Sequence, residues 1–257
     1  MKWKDILMSI MMNLFNKLNF KRKPNLMNEN EYYCYLVSSN DSNLYGFDKK
    51  FSNQEDYLYK FYGKCDEYHK KIKMIIISDT HNCLNEEEFR QFIECHSHYD
   101  ICILLGDHNS NDISIILKYI DKNKIYGLLG NHDYDYLSDY DISNLNGNVI
   151  NINGTTLLGI QGSFKYKPSS FPSFTQQESI LFFEDKPKVD ILLSHDNRFD
   201  SSMERNPAHQ GLFGITYYLF KNKVPYHIHG HIHNSYKKEM INGTKEISIY
   251  MYEYLEI

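Results

Sequence analysis

Five times in this chain a short apolar run stops at a histidine, an aspartate or an asparagine. Lys73 to Ser78 leads into Asp79-Thr80-His81, Ile101 to Leu105 into Gly106-Asp107, and Ile125 to Leu129 into Gly130-Asn131-His132-Asp133. Val189 to Ser194 ends at His195, and Tyr226 to His229 runs into Gly230-His231-Ile232-His233. Apolar runs of this length, bounded by turn residues, read as buried strands. Strands that alternate with helical stretches build an α/β sheet, and residues just beyond the carboxyl ends of its strands meet in one crevice whatever their distance in sequence. That crevice holds Asp, Asn and His side chains and no thiolate, a donor set suited to one or two divalent transition ions.

The helices expected between and after these strands are Asn85 to His96, Asp112 to Lys122, Thr175 to Lys186 and His209 to Lys223. Asn153-Gly154 and Asn242-Gly243, each flanked by β-branched and apolar residues, predict two hairpins that continue the sheet as antiparallel strands. The chain therefore divides into an N-terminal extension, residues 1–71, and an α/β domain, residues 72–257. Within the extension, Trp3, Ile6, Leu7, Ile10, Met11, Leu14 and Leu18 make an amphipathic helix over 3–19, followed by Lys21-Arg22-Lys23 and stopped by Pro24. It is expected to pack on its own domain or a partner, with peripheral contact of residues 3–23 to an anionic membrane as the alternative. Tyr32 to Val37 and Asn43 to Phe47 predict a hairpin, and Ser52 to Lys71 has helical spacing. Together these segments read as a lid or contact segment.

At 257 residues the chain can bury a full core as one large domain. Its net charge of −5 is spread rather than blocked, so a nucleic-acid enzyme would need a local basic patch. The cysteines, Cys34, Cys65, Cys83, Cys95 and Cys102, form no C-x-x-C pair and read as reduced thiols of a cytoplasmic protein. No apolar run reaches the roughly 18 residues a spanning helix needs, so a soluble protein is expected. Tyrosine is abundant, but so are Asn, Ile and Lys, while alanine occurs once, at Ala208. This is the mark of codon bias, and it removes aromatic clusters as a binding signal.

At the strand ends, Asp79 and His81 stand two apart and can face one side of the chain. Asp107 follows a glycine that gives the backbone room to turn, and its carboxylate can bridge two ions. Asn131 is a neutral oxygen donor, and His195, His231 and His233 supply imidazoles. In order and kind these blocks resemble the calcineurin-like metallophosphoesterase superfamily, whose motifs run D-x-H, G-D, G-N-H-D or E, a single His, and G-H-x-H. The resemblance covers roughly Ile72 to His233. It implies a four-layer α-β-β-α sandwich, helices outside two β-sheets, preceded here by a small N-terminal extension. Position by position, it implies that Asp79, His81 and His233 hold one ion, that Asn131, His195 and His231 hold the other, and that Asp107 bridges them. The implied cofactors are two divalent ions, Mn²⁺ first, with Fe, Zn²⁺, Co²⁺ or Ni²⁺ as alternatives acceptable to the same donors.

The implied activity is that of a metal-dependent phosphoesterase. Two ions about 3.5–4 Å apart clamp the attacking and leaving oxygens, and a bridging hydroxide attacks phosphorus in line. His132 is placed to contact the phosphate and to protonate the leaving oxygen. Asp133 either orders the turn or joins the chemistry. Protein Ser/Thr phosphatases and diadenosine tetraphosphatases of the superfamily carry G-D-x-x-D-R-G and R-G-N-H-E. This chain has Gly106-Asp107-His108-Asn109-Ser110-Asn111 and Leu129-Gly130-Asn131-His132-Asp133 instead, without the arginines that grip a phosphomonoester. A small phosphodiester or nucleotide-like substrate fits better. Ser110 replaces the aspartate that orients the histidine, which leaves Asp112 or another carboxylate for that place.

Substrate contacts are expected from Asn131, His132, His209 and Arg198, with Arg205 as the alternative arginine. His209 opens an expected helix whose N-terminus favours an anion. His108 reads as a solvated loop residue, and His227 and His229 as buried or sheet-facing. A nuclease of the same chemistry is the alternative, and it needs a groove of Lys and Arg. A non-catalytic scaffold of the same fold is a third reading, from a different class.

Overall fold

The computed structural model describes residues 55, 58–59, 62–165, 171–199 and 207–257. The expected helix over 3–19, the expected hairpin over 32–47 and Arg205 lie outside the described residues. The helix expected over 52–71 ends by Tyr62, because Gly63 takes a left-handed φ of 71° and its N–H bonds Tyr59 O at 2.8 Å, a glycine helix stop.

The elements, in chain order, are β1 (Lys73–Ser78), α1 (Glu86–Cys95), β2 (Ile101–Leu104), α2 (Ser110–Tyr119), β3 (Ile125–Gly127), α3 (Tyr136–Asp139), β4 (Ser143–Asn144), β5 (Val149–Ile152) and β6 (Thr155–Ile160). There follow β7 (Ser163–Phe164), β8 (Ser173–Phe174), α4 (Gln176–Phe182), β9 (Ile191–Ser194), α5 (Phe213–Lys221), β10 (Tyr226–His229), β11 (Tyr236–Glu239), β12 (Lys245–Ser248) and β13 (Met251–Glu256). One sheet has the order β13-β1-β2-β3-β4, and the other β11-β12-β10-β9-β6-β5. Neighbours are parallel within β1 to β4 and within β6, β9, β10 and β12, while β13, β11 and β5 pair antiparallel.

Strand alternation sets the layers. Met74, Ile76, Ile101 and Ile103 face Leu157, Ile191, Leu193 and Ile228 in a core between the sheets. The intervening Ile75, Ile77, Cys102 and Leu104 pack under Phe89, Ile93, Ile113 and Ile116 of α1 and α2. On the far side, Leu158, Ile160 and Leu192 pack under Ile180, Phe213, Leu219 and Phe220 of α4 and α5, and Leu58 joins that layer. Because both faces are covered, the strands read as continuous apolar runs. The result is the expected four-layer sandwich. The hairpins extend the second sheet rather than a single shared one, since periodicity along a strand does not say which strands pair.

Local signals mostly hold. Asn85 caps α1 by accepting the N–H of Glu87 and Glu88, and Thr175 with Glu178 closes a capping box on α4. Asn153 and Gly154 both take positive φ, 51° and 86°, as a two-residue primed turn requires. Asn242-Gly243 sits instead in a longer loop, closed by Met240 N–H to Thr244 O at 2.8 Å. The helix expected from His209 starts only at Phe213, because Gly211 has φ 76° and lies against the Arg198 carbonyl. Among the described residues no helix is long and apolar enough to cross a membrane.

Gly106 and Gly130 let two ligand-bearing loops touch. A Cβ on Gly106, whose φ is 107°, would run into the Gly130 backbone, and one on Gly130 would run into the Asp107 carboxylate. Replacing Gly106 with alanine is expected to lower unfolding free energy by about 2 kcal/mol or more. Urea denaturation reads this, and an unchanged midpoint would contradict the close packing.

Candidate metal centre

Loops leaving β1, β2, β3, β9 and β10 converge at one end of the sandwich. Five of their donor residues take left-handed backbone: Asp79 (φ 53°), His81 (42°), Asp107 (60°), His231 (69°) and His233 (49°). Such geometry costs about 1–2 kcal/mol at a non-glycine residue and persists only where surroundings enforce it. Here the loops hold one another. Asp79 N–H bonds Gly106 O at 2.9 Å, His81 N–H bonds Asp107 O at 3.2 Å, and Gly230 N–H bonds His195 O at 3.0 Å.

Asp79, His81 and His233 form one group of side-chain donors, and Asp107, His195 and His231 a second. In the first, His233 Nε2 lies 3.4 Å from Asp79 Oδ1 and 3.1 Å from His81 Nε2. Donors held 2.0–2.2 Å from one ion lie about 3–3.6 Å from each other, so this spacing fits a coordination shell. Asp107 Oδ2 stands 3.6 Å from both His81 Nε2 and His195 Nε2, between the two groups. Asn131 Oδ1 is 3.0 Å from His195 Nε2.

The other atoms of these side chains are already committed. Asp79 Oδ2 accepts from Ser78 Oγ at 2.5 Å and from His231 N–H at 2.8 Å, and Asp107 Oδ1 accepts from His132 N–H at 2.8 Å. His195 Nδ1 donates to Leu105 O at 3.0 Å, and His231 Nε2 to Ala208 O at 2.7 Å, which leaves Nε2 and Nδ1 respectively as ligand atoms. By contrast, Asp79 Oδ1 and Asp107 Oδ2 are buried with no hydrogen-bond partner among the described residues. A buried carboxylate oxygen left so is costly unless a cation takes it, and these donors fit a divalent ion. Burial pushes Asp79 upward, but His233, His195 and Ser78 outweigh it and hold the carboxyl far below its usual range. His195, despite complete burial, is raised by the charges of Asp107 and Asp79.

The expected substrate contacts fare differently. His132 is exposed at the mouth, its ring 5.8 Å from that of His81. His209 is half-buried, closes a short 3₁₀ turn and sets its ring 5.3 Å from that of His231. Arg198 is not brought to the ligands: its guanidinium is buried, Nε bonding Glu246 Oε2 at 2.6 Å and Nη1 bonding Glu55. Its expected phosphate contact is therefore replaced by an internal ion pair, since Glu246, fully buried, requires a counter-charge.

Asp112 does not orient His132. Its carboxylate accepts from Thr80 Oγ1 and Asn82 N–H, both at 2.7 Å, and from Leu84 N–H at 3.3 Å, thereby closing the Asp79–His81 turn. Among the described residues no carboxylate bonds the His132 ring. His108, read as a solvated loop residue, is buried, with Nδ1 2.8 Å from Thr80 Oγ1. Asp133 clasps the two glycine loops by accepting N–H bonds from Asp107, His108 and Gly130 at 2.7, 2.7 and 2.6 Å. Burial pushes it up to about 7 even against those donors. Asp196, unmarked in sequence, accepts Phe164 N–H at 2.8 Å and lies 3.8 Å from His231 Nε2, anchoring β7 over the centre.

A third buried group, His227, His229 and Glu246, also has metal-like spacing. Glu246 is occupied by Arg198 and has Lys238 Nζ 3.5 Å away, so a cation there meets two positive charges. It is an ion-pair network rather than a metal site.

A four-layer α/β sandwich with paired Asp and His groups at its strand ends defines a protein with a candidate metal centre. The calcineurin-like phosphoesterase profile matches residues 72–235, and the chain belongs to that family, whose members generally use divalent metals. One solved structure overlays on 73% of this chain and 95% of its own length, with a TM-score of 0.53 at 12% identity, a likeness of fold. TT1561 of Thermus thermophilus aligns over 71% of this chain and 90% of its own, with a TM-score of 0.48 at 13% identity. Vps29 of Entamoeba histolytica, solved with zinc, aligns over 70% and 74%, with a TM-score of 0.40 at 12% identity. No curated protein matches the chain in sequence.

Burial depresses His108 from its ordinary 6.5 to about 4. As pH falls between those values, the unfolded chain takes up a proton that the folded one refuses, so folded stability drops. His108→Asn lacks this loss. Denaturation at pH 7 and pH 4 is expected to show the wild type losing on the order of 3 kcal/mol relative to the variant. A pH-independent difference would place His108 in water.

Proposed function

We propose that the protein hydrolyses a small phosphodiester or a nucleotide-like phosphoester with two divalent ions. The observation that carries this is the pair of buried carboxylate oxygens, Asp79 Oδ1 and Asp107 Oδ2, that have no hydrogen-bond partner among the described residues and each face imidazole nitrogens. Asp79, His81 and His233 would hold one ion, and Asn131, His195 and His231 the other. Asp107 would bridge them through Oδ2. When bound, the ions supply an acidified water near neutral pH and offset charge on the phosphoryl oxygens. Nitrogen and oxygen donors without thiolate suit Mn²⁺.

The remaining work falls to the chain. Asn131 and His132 meet the substrate phosphate, and His132, exposed beside His81, gives a proton to the leaving oxygen. No carboxylate holds its ring among the described residues, so the substrate itself fixes that ring. His209 contacts the phosphate from the His231 side. Arg198, committed to Glu246, is not placed to favour phosphomonoesters or to track a nucleic-acid backbone. The free thiols Cys65, Cys83, Cys95 and Cys102 support a reducing, cytoplasmic setting.

The test uses metal-stripped protein reloaded with Mn²⁺, with bis(p-nitrophenyl) phosphate and p-nitrophenyl phosphate side by side. Metal-dependent turnover with the diester preferred is expected, and preference for the monoester would overturn the diester reading. His132→Asn is expected to lower kcat by about 10²–10⁴ while Mn²⁺ uptake stays unchanged. An unaltered kcat would remove His132 from proton transfer.

A further inference from the structure

Behind the centre, on the face of the second sheet away from the first, a chain of buried polar groups joins the two loops that carry His195 and His231. Arg198 stands three residues beyond His195 and reaches past β10 to Glu246 on β12, Nε to Oε2 at 2.6 Å. Glu246 Oε1 accepts from Tyr236 Oη at 2.9 Å and lies 3.2 Å from His229 Nε2. His229 Nδ1 lies 3.0 Å from the carbonyl of Gly230, the residue that precedes His231. Both ring nitrogens of His229 thus face oxygens, and the ring has one orientation. A parallel strut lies beside it: His227, stacked on His229 with centroids 5.0 Å apart, meets Ser194 Oγ at 2.8 Å, and Ser194 Oγ donates to Asp196 O at 2.6 Å.

We infer that Arg198, Glu246 and His229 form a buried brace that fixes the spacing between the His195 and His231 loops, and that Arg198 and Glu246 are positioning residues for the second ion. The physical case is one of cost. A buried ion pair is poor stabilisation compared with apolar packing of the same volume, whereas its directional bonds can fix geometry, the role inferred for this one. Glu246 is fully buried and Arg198 nearly so; Arg198 belongs to the His195 loop, and the link from Glu246 to the His231 loop passes through His229 to the Gly230 carbonyl. The first group depends less on this link, since two of its three members, Asp79 and His81, come from the other sheet and only His233 lies on the His231 loop.

The inference rests on the two-ion reading, so its test counts ions instead of turnover. Mn²⁺ is titrated calorimetrically into metal-stripped full-length wild type, Glu246→Gln and the double variant Arg198→Met/Glu246→Leu. The double variant removes both charges and leaves neither buried alone. The wild type is expected to take up two ions. Both variants, folded by circular dichroism, are expected to bind the first with wild-type affinity and the second roughly 10- to 100-fold more weakly. Two ions bound at wild-type affinity by the folded double variant would overturn the brace, as would equal weakening of both ions. A wild type that takes up one ion overturns the two-ion reading and the brace with it.

Discussion

Two carboxylate oxygens buried among imidazoles organise this molecule. Asp79 Oδ1 and Asp107 Oδ2 have no hydrogen-bond donor among the described residues, yet each carboxylate is pinned through its other oxygen, by Ser78 and His231 N–H in one case and by His132 N–H in the other. The protein thus orients these groups firmly and leaves one lone-pair direction of each aimed at histidine nitrogens. Two negative charges so close in a dry site are unfavourable without a positive partner. Members of the family generally use divalent metals, and Asp107 Oδ2 stands equally far from His81 and His195, between the two donor groups.

The strain of holding them is spread over the loops and met by the sandwich. Five donor residues adopt left-handed backbone, and the glycines beside them have no space for a side chain. A Cβ on Gly230 would collide with Ser78 Oγ and the Asp79 carboxylate, so the loop after β10 in one sheet rests directly on the end of β1 in the other. Asp133 and Asp112 each gather backbone N–H groups of a ligand turn. Rigid, fully covered strands can enforce such turns, whereas a surface loop could not.

Much of this was legible in the chain. The strands over Lys73–Ser78 and Tyr226–His229 have the bounds their apolar runs imply, and the family and its four-layer fold follow from the order of five polar blocks. The reasons behind the placement were less visible. Asp79 and His81 are both left-handed, a conformation that Asp and His adopt more readily than most residues but that their presence in a loop does not by itself announce. Long-range partners were hidden for a related reason. Arg198 looked like a phosphate ligand because it follows His195, but Glu246, 48 residues later in the chain, captures it. His108 looked solvated because it sits in a polar stretch, yet that stretch folds under Thr80 and Asp112. Polar residues buried by tertiary contact leave no periodic trace.

Anomalous diffraction at the manganese edge from crystals grown with Mn²⁺ tests the central claim most directly. The account predicts two peaks about 3.5–4 Å apart, astride Asp107 Oδ2, one beside Asp79, His81 and His233 and the other beside Asn131, His195 and His231. A peak among His227, His229 and Glu246, or no density next to Asp107, would contradict it.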